Sequence, residues 1–202
     1  GPTAPIASLA LPFDVERLKS SLAQLADALE ALHAHGHVHR DLKSSNVMVA
    51  RDGRVVLLDF GLVAPIVDGS AIGRATDDQI VGTVSTMAPE QATGAHVGAA
   101  ADWYAVGAMM FHAMTGRMPF EGSLLSVLAS KQSTDAPDPR KYVPAVPEAL
   151  ALLCKGLLAR DPSTRLSAEA IRAAVGRGRS LRTTSLAPPP TGIVVGRSSE
   201  IA

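Results

Sequence analysis

Four polar residues in the first third of the 202-residue chain have types and a spacing that suit phosphoryl transfer. Asp41 could act as a base, Lys43 lies two residues later, and Asn46 follows three residues after that. Asp59 comes thirteen residues after the asparagine. Phosphoryl transfer needs a group that orients the nucleophile, a cation that stabilises charge on the phosphate, and oxygen ligands for Mg²⁺. A carboxylate, an amine, and an amide with a second carboxylate would supply these functions.

The residues around this set predict the elements that would position it. Apolar residues recur at three- and four-residue steps between Asp14, a suitable N-cap, and Gly36, a suitable stop. This pattern predicts a helix that leads into the set. The stretch that follows the asparagine predicts two short strands, 47–49 and 55–58, joined by a turn at 51–53. The polar residues would therefore lie in a loop before a hairpin and at its far end.

The rest of the chain predicts a mainly helical domain. Residues 62–87 show no sustained periodicity, and a loop of that length inside a compact domain is usually functional or mobile. Four helical stretches follow, the first of them apolar on most faces and therefore expected to be buried. They cover residues 100–114, 123–131, 147–159 and 167–175.

Three motifs occur in a fixed order along the chain. They are H-R-D-L-K-S-S-N at 39–46, D-F-G at 59–61 and A-P-E at 88–90. Together they resemble the catalytic core of a eukaryotic-type (Hanks-type) serine/threonine protein kinase, and Lys43 points to the serine/threonine branch. The resemblance implies an α+β, mainly α-helical fold: the kinase C-terminal lobe with short β-hairpins at the catalytic loop. It also suggests a large multidomain bacterial kinase as the parent protein.

By this resemblance, the polar set would transfer the γ-phosphate of ATP to Ser or Thr hydroxyls of proteins. Asp41 would accept the proton of the substrate hydroxyl, and Lys43 would neutralise charge on the transferred phosphate. Asn46 and Asp59 would hold Mg²⁺, which prefers oxygen ligands. Thr83 matches the position that contacts the catalytic Asp and the incoming hydroxyl. ATP and Mg²⁺ are thus the implied cofactors, and the residues implied to bind them are Lys43, Asn46, Asp59 and Met48, the last beneath the adenine ring.

The resemblance also implies regulatory and structural residues. Glu90 and Arg165 would form a buried ion pair, and Asp102 would hold the backbone of the catalytic loop. Arg40 would pair with a phosphate on the activation segment, for which Thr76 and Ser70 are candidate acceptors. The remaining members are His39 and Phe60, which would form half of a hydrophobic spine, and Gly61 of the D-F-G motif.

Several positions depart from the family pattern. Val84 and Thr86 stand where G-T-P-x-Y-M-A-P-E usually has Pro and Tyr, and the Tyr normally packs under the substrate-binding segment. Ser44 and Leu166 each replace a common Pro. None of these changes removes a group that the chemistry requires. We expect the loss of the Tyr, at Thr86, to affect the docking of the substrate.

The family's ATP-covering N-terminal lobe is not recognisable in this sequence. Only 38 residues precede His39, and they contain neither a G-x-G-x-x-G loop nor a V-A-I-K-like strand. We therefore expect a C-lobe with the N-lobe absent, and weak or no catalysis by this chain alone. The expected organisation is an irregular lead-in at 1–12, the C-lobe at 13–176, an Arg/Ser/Pro-rich linker at 177–192 and the start of a truncated domain at 193–202. The V-G-R-x-x-E stretch of that last segment is similar to the opening of an ATPase-like sensor module.

Composition limits the classes of function. Lys plus Arg and Asp plus Glu each number 19, a balance that argues against a dedicated nucleic-acid or anionic-membrane binder. The single cysteine, Cys154, excludes a disulfide framework, and its Leu-rich neighbours favour a core position. No apolar run reaches the length of a membrane span. We predict a cytoplasmic domain whose partners are a protein substrate, the N-lobe and a downstream ATPase-like domain.

The histidines at positions 33, 35, 37 and 39 alternate in a way that raises the question of a metal site. Zinc would also require Cys or carboxylate partners nearby, and Cys154 is remote in sequence. The favoured interpretation is solvated histidines plus one core residue, His39.

Two other functions compete with the kinase interpretation. A non-catalytic scaffold or regulatory module with the kinase fold is favoured by the altered Val84 and Thr86 and by the missing lobe. The retained polar set speaks against it, because a scaffold needs neither Asp41 nor Asp59. A small-molecule phosphotransferase of related fold would generally lack the A-P-E segment that shapes a peptide-binding shelf.

Overall fold

The computed structural model describes residue 11 and residues 13–58, 83–93 and 97–176. Within these ranges lie five α-helices of eight residues or more, a two-stranded hairpin and a helical turn at residues 83–86. The elements are α1 (Val15–Ala34), β1 (Val47–Val49), β2 (Val55–Leu57), α2 (Ala100–Thr115), α3 (Leu124–Ser133), α4 (Glu148–Leu157) and α5 (Ala168–Val175). Several predicted features lie outside the described residues: Asp59, Phe60, Gly61, Ser70, Thr76, the linker, the final segment and most of the lead-in.

Helix α1 begins and ends where the sequence predicts. The side chain of Asp14 accepts a hydrogen bond from the backbone N–H of Arg17 at 3.0 Å, which caps the first turn. At the other end, Gly36 adopts a φ of 76°, a conformation that side-chain-bearing residues rarely adopt. The buried face of the helix consists of Leu22, Leu25, Ala26 and Leu29.

The two strands form an antiparallel hairpin that α1 supports. Val47 pairs with Leu57 and Val49 with Val55, and β2 ends at Leu57, one residue earlier than predicted. Gln24 of α1 holds the start of β2: its Nε2 donates to the carbonyl of Gly53 at 2.9 Å, and its Oε1 accepts from the N–H of Val55 at 3.1 Å. The catalytic loop therefore connects two elements that are already fixed to each other.

Helix α2 is the centre of the hydrophobic core, as its apolar sequence predicts. Gly107 lets α4 approach closely, because a Cβ atom there would lie 2.9 Å from Cβ of Leu157. Cys154 of α4 is fully buried and its Sγ lies 3.6 Å from the carbonyl oxygen of Gly107, so the predicted core position is confirmed. Helix α5 packs on α1 and α4, which closes the core on the other side.

The four later helices start and end within two residues of their predicted limits. Among the described residues, no helix combines the length and the apolar character needed to cross a bilayer. The structure thus places the loop of polar residues between helix α1, the hairpin and the buried helix α2.

Candidate active site

One buried carboxylate holds the backbone of the catalytic loop (residues 39–46). Asp102 lies in the first turn of α2 and is 1% exposed. Its oxygens accept hydrogen bonds from the N–H of His39 and the N–H of Arg40, both at 2.9 Å, and lie 2.8 Å from Nε2 of His33. Three partners compensate the cost of burying the charge, and the loop is thereby fixed to the core.

The backbone at Arg40 is strained, and both of its polar groups are held. Its φ of 64° lies in the left-handed region, which costs a residue with a side chain on the order of 1–3 kcal/mol. Its N–H donates to Asp102, and its carbonyl accepts from Nε2 of Gln91 at 2.9 Å. Oε1 of Gln91 accepts in turn from the N–H of Ala88 at 2.8 Å. The Gln91 side chain thus links the catalytic loop to the A-P-E motif.

Three predicted site residues meet at one point, although Thr83 lies 40 residues after Lys43 in the chain. Nζ of Lys43 lies 2.9 Å from Oδ2 of Asp41 and 3.1 Å from Oγ1 of Thr83. The Thr83 hydroxyl donates to the other carboxylate oxygen of Asp41 at 3.3 Å. The Lys43 and Asp41 side chains keep 23% and 30% of their surface exposed, so a ligand can reach them from solvent.

Asn46 lies beside this group at the end of a 3₁₀ turn, Ser44–Asn46, and is 6% exposed. Its Nδ2 donates to the backbone carbonyl of Asp41 at 2.8 Å and to Oδ2 of Asp41 at 3.3 Å. Because the amide nitrogen makes these hydrogen bonds, the amide oxygen is the group that could bind a hard cation. The contact of this oxygen with Oγ of Ser45 is long, at 3.4 Å. An amide oxygen, an amine and a partly exposed carboxylate fit a polyphosphate with Mg²⁺.

His39 joins the catalytic loop to the end of the hairpin. Its side chain is buried, and Nε2 lies 3.2 Å from the carbonyl oxygen of Leu58. Leu58 directly precedes Asp59, the predicted second Mg²⁺ ligand. Met48, the predicted adenine neighbour, is 48% exposed on β1, and Leu58 is 39% exposed.

The predicted partners Glu90 and Arg165 form a bidentate ion pair below the site. Nη1 of Arg165 lies 2.6 Å from Oε1 of Glu90, and Nη2 lies 3.0 Å from Oε2. The arginine also donates to the backbone carbonyls of Ala159, Ala100 and Arg160. Its side chain is fully buried with these five contacts, which together compensate the desolvation of the pair.

Sequence reasoning missed four residues that organise this region: His33, Gln91, Lys131 and Gln132. The interpretation of His33 as solvated was wrong, since its side chain is 13% exposed, contacts Asp102 and meets the Trp103 ring edge-on. His35 and His37 are exposed, as expected. In the described part of the chain no three His, Cys, Asp or Glu side chains are arranged to hold a metal ion. The sequence gives one indication that Lys131 is buried, because this residue continues the apolar helix face formed by residues 124, 127 and 128.

The fold and this site define the class of protein. The family described as protein kinase domain matches residues 6–174, and the chain belongs to that family. The described part, mainly helical with two strands, agrees with the predicted α+β fold class.

The chain is similar to several bacterial serine/threonine-protein kinases. The chain is 37% identical over 199 residues to the serine/threonine-protein kinase Pkn1 of Myxococcus xanthus, a match that covers 95% of this chain and 28% of that protein. It is 39% identical over 155 residues to the DNA damage-responsive serine/threonine-protein kinase RqkA of Deinococcus radiodurans, a match that covers 76% of this chain and 23% of that protein. It is 32% identical over 186 residues to the serine/threonine-protein kinase PknB of Mycolicibacterium smegmatis, a match that covers 82% of this chain and 29% of that protein.

The predicted resemblance to bacterial serine/threonine protein kinases is therefore confirmed. The chain spans between 23% and 29% of the length of these three relatives.

Proposed function

We propose that this chain forms the C-lobe part of a serine/threonine protein kinase domain, which transfers the γ-phosphate of ATP to Ser or Thr hydroxyls of a protein. The observation that carries the proposal is the meeting of Asp41, Lys43 and Thr83 within 3.3 Å of one another, beside the buried Asn46. These groups match the demands of phosphoryl transfer, which depends on positioning and charge stabilisation.

In this proposal Asp41 orients the acceptor hydroxyl and takes up its proton. The Thr83 hydroxyl and the Lys43 amine hold the two carboxylate oxygens, so the orientation is set before substrate arrives. Lys43 also places its positive charge beside the phosphate under transfer. Asn46, with Asp59 as its proposed partner, would hold Mg²⁺. When bound, ATP with Mg²⁺ supplies the phosphoryl group and neutralises part of its negative charge.

The surrounding contacts support this role by fixing the loop. Asp102 and Gln91 hold the N–H and the carbonyl of the strained Arg40, so the backbone next to Asp41 cannot relax without losing both hydrogen bonds. We propose that the turn from Thr83 through the A-P-E motif forms the shelf for the acceptor peptide. Arg40 would then pair with a phosphate on the activation segment, with Thr76 as the acceptor.

We further propose that an N-lobe completes the nucleotide site above the hairpin, against the exposed Met48 and Leu58. This chain by itself is then a weak catalyst or none, because it leaves the phosphates uncovered. The C-lobe would extend over 13–176, followed by a linker at 177–192 and a further domain from 193, for which an ATPase-like sensor is our candidate. Because the reaction consumes ATP, we place the domain in the cytoplasm.

The experiment is a transfer assay on the full-length gene product, with radiolabelled ATP, Mg²⁺ and myelin basic protein as acceptor. We expect phosphoserine or phosphothreonine in the wild type and a loss of about 10²–10⁴-fold in Asp41→Asn, because the proton acceptor is removed. Glu121→Gln, at an exposed position away from the site, is the matched control and should keep wild-type activity.

A non-catalytic scaffold remains the second candidate, favoured by Val84 and Thr86 in the proposed shelf. In that case the wild type and Asp41→Asn would both show no transfer above background. Calorimetry of Mg²⁺-ATP binding, compared between the chain and its Asp59→Ala variant, would then tell a retained nucleotide site from a lost one.

A further inference from the structure

The ammonium group of Lys131, on the last part of α3, is buried against the turn that carries Thr83. Lys131 is 2% exposed. Its Nζ donates to the backbone carbonyls of Val84 at 2.7 Å, Ser85 at 2.9 Å and Met87 at 2.6 Å. An ammonium has three N–H groups and no acceptor, so these three carbonyls use its whole donor capacity.

The three carbonyls that Lys131 contacts lie at the C-terminal end of a helical turn and just beyond it. Residues 83–86 form a helical turn in which the N–H of Met87 donates to the carbonyl of Thr83 at 3.0 Å. The carbonyls at the C-terminal end of a helical turn accept no hydrogen bond from within the turn. A cation at this end also interacts favourably with the dipole of the turn. Lys131 therefore acts as a C-terminal cap that a remote helix supplies.

A neighbouring side chain on α3 holds the same segment further along. Nε2 of Gln132 donates to the carbonyl of Pro89 at 2.6 Å. Consecutive residues of one helix thus engage four carbonyls between positions 84 and 89. The segment has its other attachment at the catalytic loop, where Thr83 meets Lys43 and Asp41.

This anchoring replaces what the family pattern would supply. Thr86 stands at the position of the usual Tyr, and its Oγ1 reaches only the carbonyl of Thr83 in its own turn, at 3.4 Å. The hydrogen bond of the Thr86 hydroxyl therefore stays within the turn. Lys131 supplies hydrogen bonds from outside the turn, and the ring of Tyr104 on α2 covers its ammonium at 5.2 Å.

We infer that Lys131 is a positioning residue for the protein acceptor: it fixes the shelf that receives the acceptor chain, and so sets the affinity for the acceptor. The inference rests on the proposed kinase function and deepens it. The hydrogen bonds of Lys131 go to the backbone of residues 84–87 and not to Asp41 or Asn46. It therefore acts on the acceptor through that segment and leaves the proposed nucleotide-binding residues in place.

The test is steady-state kinetics on the full-length gene product, with ATP and myelin basic protein varied separately. In Lys131→Met we expect the KM for the acceptor protein to rise about tenfold while the KM for ATP stays within about twofold of wild type, because only the acceptor shelf loses its anchor. Lys131→Arg should restore part of the acceptor affinity, since it keeps the cation but cannot aim N–H groups at three converging carbonyls. The matched control is Lys155→Met, which removes an exposed lysine from α4.

A second measurement covers variants that fold poorly. Amide hydrogen exchange is followed in the peptides spanning 83–93 and 15–34, in the wild type and in Lys131→Gln, which keeps two N–H donors without the charge. Faster exchange at 83–93 alone is the expected result. Equal exchange in both segments, or an acceptor KM equal to that of Lys155→Met, overturns the inference. Loss of the fold in both Lys131→Met and Lys131→Gln would show that Lys131 serves only the stability of the core. That result would overturn the inference as well.

Hydrogen exchange can be measured without catalysis, so it tests the role of Lys131 separately from the proposed kinase function. A wild type that transfers no phosphate contradicts the proposed function, and the anchor is then judged from exchange alone. A wild type that transfers phosphate with an acceptor KM independent of Lys131 contradicts only the inference.

Discussion

At the scale of single residues, the site depends on buried charges that serve backbone groups. Asp102 accepts from two backbone N–H groups of the catalytic loop, Arg165 donates to three carbonyls besides Glu90, and Lys131 donates to three more. Each charge is satisfied by backbone hydrogen-bonding groups in the interior. Removing one of these side chains therefore takes a hydrogen-bond partner from several polar groups at once.

Asp102→Asn tests this dependence at the catalytic loop. An amide cannot accept on both sides, so one of its N–H groups would face the N–H of His39 or Arg40. We expect the free energy of unfolding to fall by about 2–4 kcal/mol in urea titrations followed by circular dichroism. Asp135→Asn, which breaks an exposed ion pair with Arg160, should change it by less than about 1 kcal/mol. Equal losses in the two variants would contradict the argument.

Lys131 should also give the stability a pH dependence with a definite sign. Burial lowers the pKa of Lys131 from 10.5 to about 7, against the three carbonyls that favour the charged form. The unfolded chain keeps this proton up to about pH 10.5, so unfolding takes up a proton between pH 7 and that value. Rising pH therefore opposes unfolding in this window, by up to about 1 kcal/mol per pH unit.

The charged and titratable groups around Lys131 do not mask this effect in a difference measurement. Tyr104 of α2 is held neutral because burial raises its pKa, and the Arg165 guanidinium, paired with Glu90, lies 5.1 Å from the same ring. Urea unfolding of wild type and Lys131→Met at pH 7, 8 and 9 should show the wild type gaining on the variant as pH rises. Parallel curves would show that Lys131 keeps its proton throughout.

At the scale of elements, the close contact between α2 and α4 depends on Gly107. In Gly107→Ala the new Cβ would lie 2.9 Å from Cβ of Leu157 and 3.2 Å from its backbone carbon. The helices must separate to admit it, and we expect a net loss of about 1–3 kcal/mol in spite of the higher helix propensity of Ala. Gly98→Ala is the matched control, because nothing lies within 4 Å of its Cβ position. Calorimetric melting of both variants gives the comparison.

The helices could be predicted from the sequence because their signals are local. The apolar steps of α1, its cap at Asp14 and its stop at Gly36 all lie within one stretch of chain. The motif residues of the catalytic loop were likewise recognisable from their order. The anchors were not, because Lys131 and its acceptor at Val84 are 47 residues apart, and His33 and Asp102 are 69 apart. Periodicity records which face of a helix is buried, but not which backbone group a buried polar side chain will meet.

At the scale of the whole molecule, the described surface has an apolar spot where the proposed N-lobe would sit. Met48 and Leu58 are exposed at the hairpin, near the residues proposed to bind the nucleotide. We expect the 202-residue chain alone to self-associate through this surface, so that its sedimentation coefficient rises with concentration. Met48→Asp should shift it towards the monomer. Leu125→Ser, which removes a 77% exposed leucine on α3, should not.

If Leu125→Ser disperses the chain as well as Met48→Asp does, the association is unspecific and carries no information about an N-lobe. Adding a separately produced N-lobe, where the gene encodes one, should compete with self-association in the same experiment.

The thiol of Cys154 offers a direct view of how the core opens. Burial raises the pKa of this thiol, so the thiol stays protonated. It lies on α4 and packs against the backbone of Gly107 on α2. As the chain has a single cysteine, any reaction with a thiol reagent such as dithionitrobenzoate must take place at this one atom. The rate of colour development in native buffer therefore reports how often α2 and α4 separate. The measurement needs neither labelled residues nor a mutation.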